Sequence, residues 1–242
     1  AQNALAAVCT TKPTGNWGTA STWSCGHVPL ATDTVVITRN ISLAANRTVA
    51  GVTVDAGATL SGGNRNLTVS GPVVVNGTYN TGGGDLTTNS GGSLTVNAGG
   101  TFNFNNGNAS ISGNVVVNGT LTSGGDAIQM TGAGTTVSGT GTINNTDFEI
   151  EALGISLPTG STLEFSNGAQ LRVGINNTAS FTLDGTITGF GMAAGDRLVR
   201  VYQNSGMTIN GTINAPNTYI RIEQNATITN NSLVNFYNSS TA

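Results

Sequence analysis

The chain has 242 residues, enough for one large all-β domain or two smaller ones, and only 8% are charged, against roughly 25% in an ordinary soluble domain. Net charge is −3, with 35 Gly, 5 Pro and a single lysine, Lys12; eight scattered cations exclude a track able to neutralise nucleic-acid phosphates. No apolar run approaches the roughly 18 residues of a membrane helix, and abundant Val, Ile and Thr separate the chain from disordered sequences.

A start at Ala1-Gln2, without an initiator Met, is expected of a secreted product whose signal peptide has been removed. The short apolar "ALAAV" at 4–8 has the composition of a strand that one chain lends to another. Cys9 and Cys25 read as a structural disulfide in an oxidising compartment; two unpaired buried thiols are the alternative. A zinc site is not expected, because His27 is the one further donor nearby and zinc takes three or four ligands. Residues 1–34 differ from the rest and read as a cap, with Trp17, Trp23, Pro29 and Asp33 forming a lid over the open apolar end of the region beyond residue 34.

The cap also carries a pattern: Trp17, Thr22, Trp23, Ser24, Gly26, Pro29, Asp33, Val35 and Ile37. It resembles the start of bacterial secreted and surface-anchored β-solenoid proteins, including adhesin-like chains and accessory proteins of mannose-sensitive haemagglutinin pili. The resemblance covers about 30 residues, with one residue more between the tryptophans than in the shortest forms. It implies export, display at a bacterial cell surface and adhesive or structural use, and it brings no catalytic residue.

From residue 35 to 242 the chain repeats. "VVVNGT" stands at 73–78 and again at 115–120, and a small residue followed by Thr and an apolar residue recurs at Thr59, Thr78, Thr101, Thr120, Thr142, Thr162, Thr186 and Thr212. Successive spacings are 19, 23, 19, 22, 20, 24 and 26, so the 42-residue echo is two turns of a coil. Within each period apolar residues alternate, as at Leu94/Val96, Phe102/Phe104, Leu163/Phe165, Phe181/Leu183 and Ile220/Ile222, which is the mark of short strands with one inward face. "GG", "NG", "SG" and "DG" separate them, residues that accept positive φ at tight corners. An antiparallel sandwich does not need one corner to return at this period, whereas a right-handed parallel β-helix does. Eight or nine rungs about 4.8 Å apart make a rod of roughly 40 Å. Stacking like on like suits neutral Asn, Thr and Ser ladders, with the Asn-Gly corners at Asn76, Asn118 and Asn210 as the leading candidates. The sequons at Asn40, Asn46, Asn66, Asn76 and Asn118 read as the same ladder chemistry rather than as glycan sites.

The densest ionisable stretch is "TDFEIEALG", in which Asp147, Glu149 and Glu151 alternate with Phe148 and Ile150 and are expected to project outward together. Arg172, and Glu164 with it, is expected one rung later. Three carboxylates on one face offer oxygen ligands to Ca²⁺, the one ion the sequence suggests, or an acid–base pair for glycoside hydrolysis. The competing reading is a strand face with cross-rung salt bridges to Arg172. Thr-x-Thr pairs of the kind that bind ice occur at Thr140–Thr142 and Thr186–Thr188 but do not return on every rung, and isopeptide cross-links lack a lysine beyond Lys12.

Strand-like alternation runs almost to residue 242, leaving a last rung that pairs with a fold-over tail, a longer chain or another copy. The expected function is that of an extracellular structural or adhesive solenoid, not an enzyme, whose partner is itself, head to tail, or a cell-surface glycan. A carbohydrate-active β-helix centred on Asp147, Glu149, Glu151 and Arg172 is the alternative.

Overall fold

The computed structural model describes residues 6–13, 15–124, 126–190, 196–216, 218–232 and 234–236. Strands two to six residues long follow one another around three walls, and each pairs in parallel with the strand one turn away. The first wall runs as seven strands from Val8–Thr10 to Val137–Ser138 and resumes as four from Ile155–Leu157 to Thr227–Asn230, with a parallel bridge between Thr136 and Ser156 at the seam. The second wall has ten strands, from Ile41–Ser42 to Val234–Phe236, and the third has nine, from Arg47–Val49 to Thr218–Ile222. This is a parallel β-solenoid of about nine turns. The one helical element among the described residues is a single 3₁₀ turn, Ala20–Thr22.

The alternation read from the sequence is the inside–outside alternation of the walls. On the second wall, Leu60, Tyr79, Phe102, Leu121, Ile143 and Phe165 stack in register through the core, all buried. Tyr79 and Phe102 lie 5.2 Å apart, as do Phe102 and Phe104, within the range of favourable ring contacts. Outside the same strands Thr59, Thr78, Thr101, Thr120 and Thr142 form a column. The next member is Glu164, not Thr162, which pairs instead with Thr186. The motif alignment is therefore two residues out at this turn. A slip of two keeps every side chain on its own face, so alternation alone does not reveal it.

Polar ladders join the turns at the corners. Asn97 Nδ2 donates to Asn76 Oδ1 at 2.6 Å, and further along Asn231 donates to Asn210 and Asn210 to Asp184, both at 2.8 Å. At the corner that leads into the third wall, Asn46 Oδ1 accepts from Asn66 N, Asn66 Oδ1 from Asp85 N, and Asp85 Oδ1 from Asn108 N, at 2.9–3.0 Å. Each short side chain satisfies the backbone donor of the following turn where the strand ladder has stopped. The Asn-Gly glycines serve a different purpose from the one expected. Gly119 has no positive φ; a Cβ there would sit 2.3 Å from Gly100 O and 2.4 Å from Asn97 O, so the corner needs glycine for close approach of the preceding turn. Positive φ is found elsewhere, for example at Gly99 (φ 82°).

The N-terminal stretch is tied into this frame. Val8–Thr10 is the outermost strand of the first wall, with Val8 opposite Thr34, so this part of the apolar segment pairs within its own chain; residues 4 and 5 lie outside the described residues. Cys9 and Cys25 form a disulfide. Trp17 and Trp23 are fully buried, edge to face at 5.0 Å, and Trp23 Nε1 donates to Trp17 O. Trp17 N donates to Ser42 O, which fastens the tryptophan pair across the end of the second wall.

Candidate functional site

The third wall carries the ionisable residues because one outward column changes character along the rod. Thr68, Thr87, Ser110 and Gln129 are followed in register by Glu149, Arg172, Arg200 and Arg221. Arg172 lies one turn beyond Glu149, as expected. Its Nη2 is 2.7 Å from Asp147 Oδ2 and its Nη1 3.5 Å from Glu149 Oε1, while Gln129 Nε2 donates to Glu149 Oε2 at 2.9 Å. Glu164 is on the second wall beside Thr142 and takes no part.

The expected open carboxylate face is not what the fold builds. Glu149 is 4% exposed and Glu151 6%, and Asp147 is half-buried. Burial pushes the Asp147 carboxyl from 3.8 up to about 6 against the pull of Arg172, with Glu149 adding to the rise and Arg197 opposing it. Glu151 leaves the cluster altogether. It turns under the corner loop at 174–179 and accepts from Asn176 N at 3.0 Å and Asn177 N at 3.1 Å, with both side-chain amides at 3.3–3.4 Å. Its carboxyl too is raised, by burial and by the charge of Glu149, against those amide hydrogen bonds. Glycoside hydrolysis needs two carboxylates flanking an accessible bond. Here one is clasped by Arg172 and Gln129 and another by a loop. Calcium coordination would have to displace the Arg172 guanidinium from Asp147 and Glu149.

In the cap, Asp33 is fully buried and accepts from Ala7 N and Leu30 N, both at 2.8 Å, with His27 Nδ1 3.7 Å away. Pro29, four residues earlier, is buried as well. The sulfurs of Cys9 and Cys25 and a ring nitrogen of His27 lie within 4.8 Å of one another, but both sulfurs are spent in the disulfide and offer no thiolate.

Sequence reading missed one feature. At the corner leaving the third wall, Asn176 and Asn177 from one turn, Tyr202, Gln203 and Asn204 from the next, and Glu223 from a third line an open groove of about 330 Å³. Glu223 accepts from Arg200 Nε at 2.7 Å and is 3.6 Å from Arg221 Nε, and the Arg200 guanidinium lies 4.1 Å from the Tyr202 ring centre. Corner residues belong to no alternation and differ in number from turn to turn, so no repeat pattern points to them.

The fold and these sites together define a capped parallel β-solenoid whose acidic residues at 147–151 are held by internal contacts. Comparison with protein-family models, with characterised proteins and with solved structures finds no match.

Proposed function

We propose that the chain is a structural element of a bacterial cell surface, an extracellular solenoid that assembles end to end with copies of itself. The observation that carries this reading is the last described turn. There Ile209, Ile220, Ile222, Ile228 and Val234 line an open apolar groove of about 340 Å³, with Ile222 53% exposed. Thr218–Ile222, Thr227–Asn230 and Val234–Phe236 are edge strands of all three walls, with no further partner among the described residues. Such an edge is a template for another strand. At the opposite end Val8, 64% exposed, stands on the outer strand of the first wall. A contact between unlike ends is heterologous and propagates as a filament unless rotation closes a ring. Three further properties suit a durable scaffold: a disulfide, which belongs to oxidising compartments, corner ladders built largely from neutral amides, and acids largely consumed in internal contacts.

Sedimentation velocity over a concentration series tests it. The wild-type chain is expected to grow in mass with concentration, and Ile222→Asp combined with Ile228→Asp is expected to hold it as a monomer. A wild-type chain that stays monomeric throughout removes the reading.

A further inference from the structure

We propose that the groove at the third-wall corner is a binding site for a neutral, hydroxyl-rich glycan. The proposal does not depend on end-to-end assembly. Three features of the molecule lead to it.

The first is preorganisation. Burying a carboxylate costs several kcal/mol unless it is hydrogen-bonded, and such groups ordinarily secure a core. Glu151 instead holds an exposed loop: the backbone N–H groups of Asn176 and Asn177 and both of their side-chain Nδ2 atoms point inward to its oxygens. Each Nδ2 gives one hydrogen to Glu151, so each Asn keeps its second N–H as a donor and its Oδ1 as an acceptor. Beneath the same loop Ser205 Oγ accepts from Ala179 N at 3.1 Å, and Gly174 (φ 79°) would place a Cβ 1.9 Å from that oxygen, so the loop packs closely on the following turn.

The second is the lining. Gln203 and Asn204 are exposed and make no side-chain hydrogen bond among the described residues, which leaves two full amides, each both donor and acceptor. Paired donors and acceptors from four amides are complementary to sugar hydroxyls, which are themselves both. The Tyr202 ring supplies an apolar surface with a polar tip, and Arg200 stacked at 4.1 Å fixes its plane. A volume of about 330 Å³ is at the lower end of small-molecule pockets, roughly 300–1,000 Å³, and the groove is open to solvent and lined by three successive turns.

The third is charge. Glu223 is the one carboxylate in the lining, and Arg200 and Arg221 already hold it. No lysine or arginine is among the lining residues to select an acidic glycan, and the one carboxylate there is already held rather than open to a metal ion.

Saturation-transfer NMR and calorimetric titration with cellotetraose, chitotetraose and mannotetraose, and with tetragalacturonate as the acidic counterpart, test the assignment. At least one neutral tetrasaccharide is expected to bind. Tyr202→Ala is expected to weaken it by about tenfold or more, and Gln203→Ala with Asn204→Gly by a comparable factor. Glycine at 204 keeps the backbone conformation (φ 61°), so the double variant decides the matter if Tyr202→Ala misfolds. Thr95→Ala, on the first wall, is expected to leave binding unchanged. Binding of tetragalacturonate alone, binding that survives both groove variants, or no binding by any neutral probe overturns the proposal. Sedimentation of the same samples keeps the two proposals apart: a monomer that binds sugar leaves this one standing, and a filament that binds none removes it.

Discussion

Replacing Gly119 by alanine adds one carbon where two backbone carbonyls of the preceding turn already stand, 2.3 and 2.4 Å from the new atom. Neither carbonyl can swing away freely, since Gly100 O accepts from Thr120 N at 3.0 Å and Asn97 O from Gly100 N at 2.8 Å. Relieving the clash takes a separation of about 1 Å at that corner, enough to break those bonds. Two net hydrogen bonds at about 0.5–1.5 kcal/mol each, with overpacking of about 1–3 kcal/mol, give a destabilisation of roughly 2–5 kcal/mol. The matched control is Gly99→Ala. There φ is 82° and nothing lies within 4 Å of the added carbon, so the cost is that of the left-handed region, about 1–2 kcal/mol. Urea denaturation followed by circular dichroism measures both. If glycine were needed at these corners only for backbone conformation, Gly119→Ala would cost no more than Gly99→Ala, and that result would refute the argument from stacking distance.

Arg172→Ala leaves Asp147 and Glu149 without their counter-charge and is expected to lower stability by about 3–5 kcal/mol in the same assay. Asp147 also makes stability depend on pH. Its carboxyl binds a proton more tightly in the fold, at about 6, than in the unfolded chain, at 3.8, so the native state gains relative to the unfolded one as pH falls through 6. Melting temperature is expected to rise between pH 7.5 and 5, and Asp147→Asn to reduce that rise; an unchanged slope in the variant would assign the effect to other groups. Reducing Cys9–Cys25, with a sequence separation of 16, is expected to cost about 3 kcal/mol by the loop-entropy estimate, read from thermal melts with and without dithiothreitol.

The solenoid was legible because its core obeys a period of two. Leu94/Val96 and Phe181/Leu183 are inward pairs in the fold as in the sequence, and the 42-residue echo is indeed two turns. Ile220/Ile222 shows the limit of that signal: it alternates like the others but lies on the last described turn, where Ile222 is exposed. Register at Thr162 and the reason for glycine at Gly119 were not legible, because both depend on what the adjacent turn places opposite. The same holds for the acids. Asp147 and Glu149 share the outward face that alternation expects and Glu151 lies past the strand end, but outward on a strand is not exposed to water once Arg172 and Gln129 close over the first two and the Asn176–Asn177 loop over the third. Contacts made across about 20 residues of chain, corner to corner, leave no trace in a local pattern.

Electron microscopy of the purified chain across a concentration series is the most direct test of end-to-end assembly. Unbranched filaments of uniform width, lengthening with concentration and absent from Ile222→Asp/Ile228→Asp, are the expected result. Dispersed short rods at every concentration would contradict it.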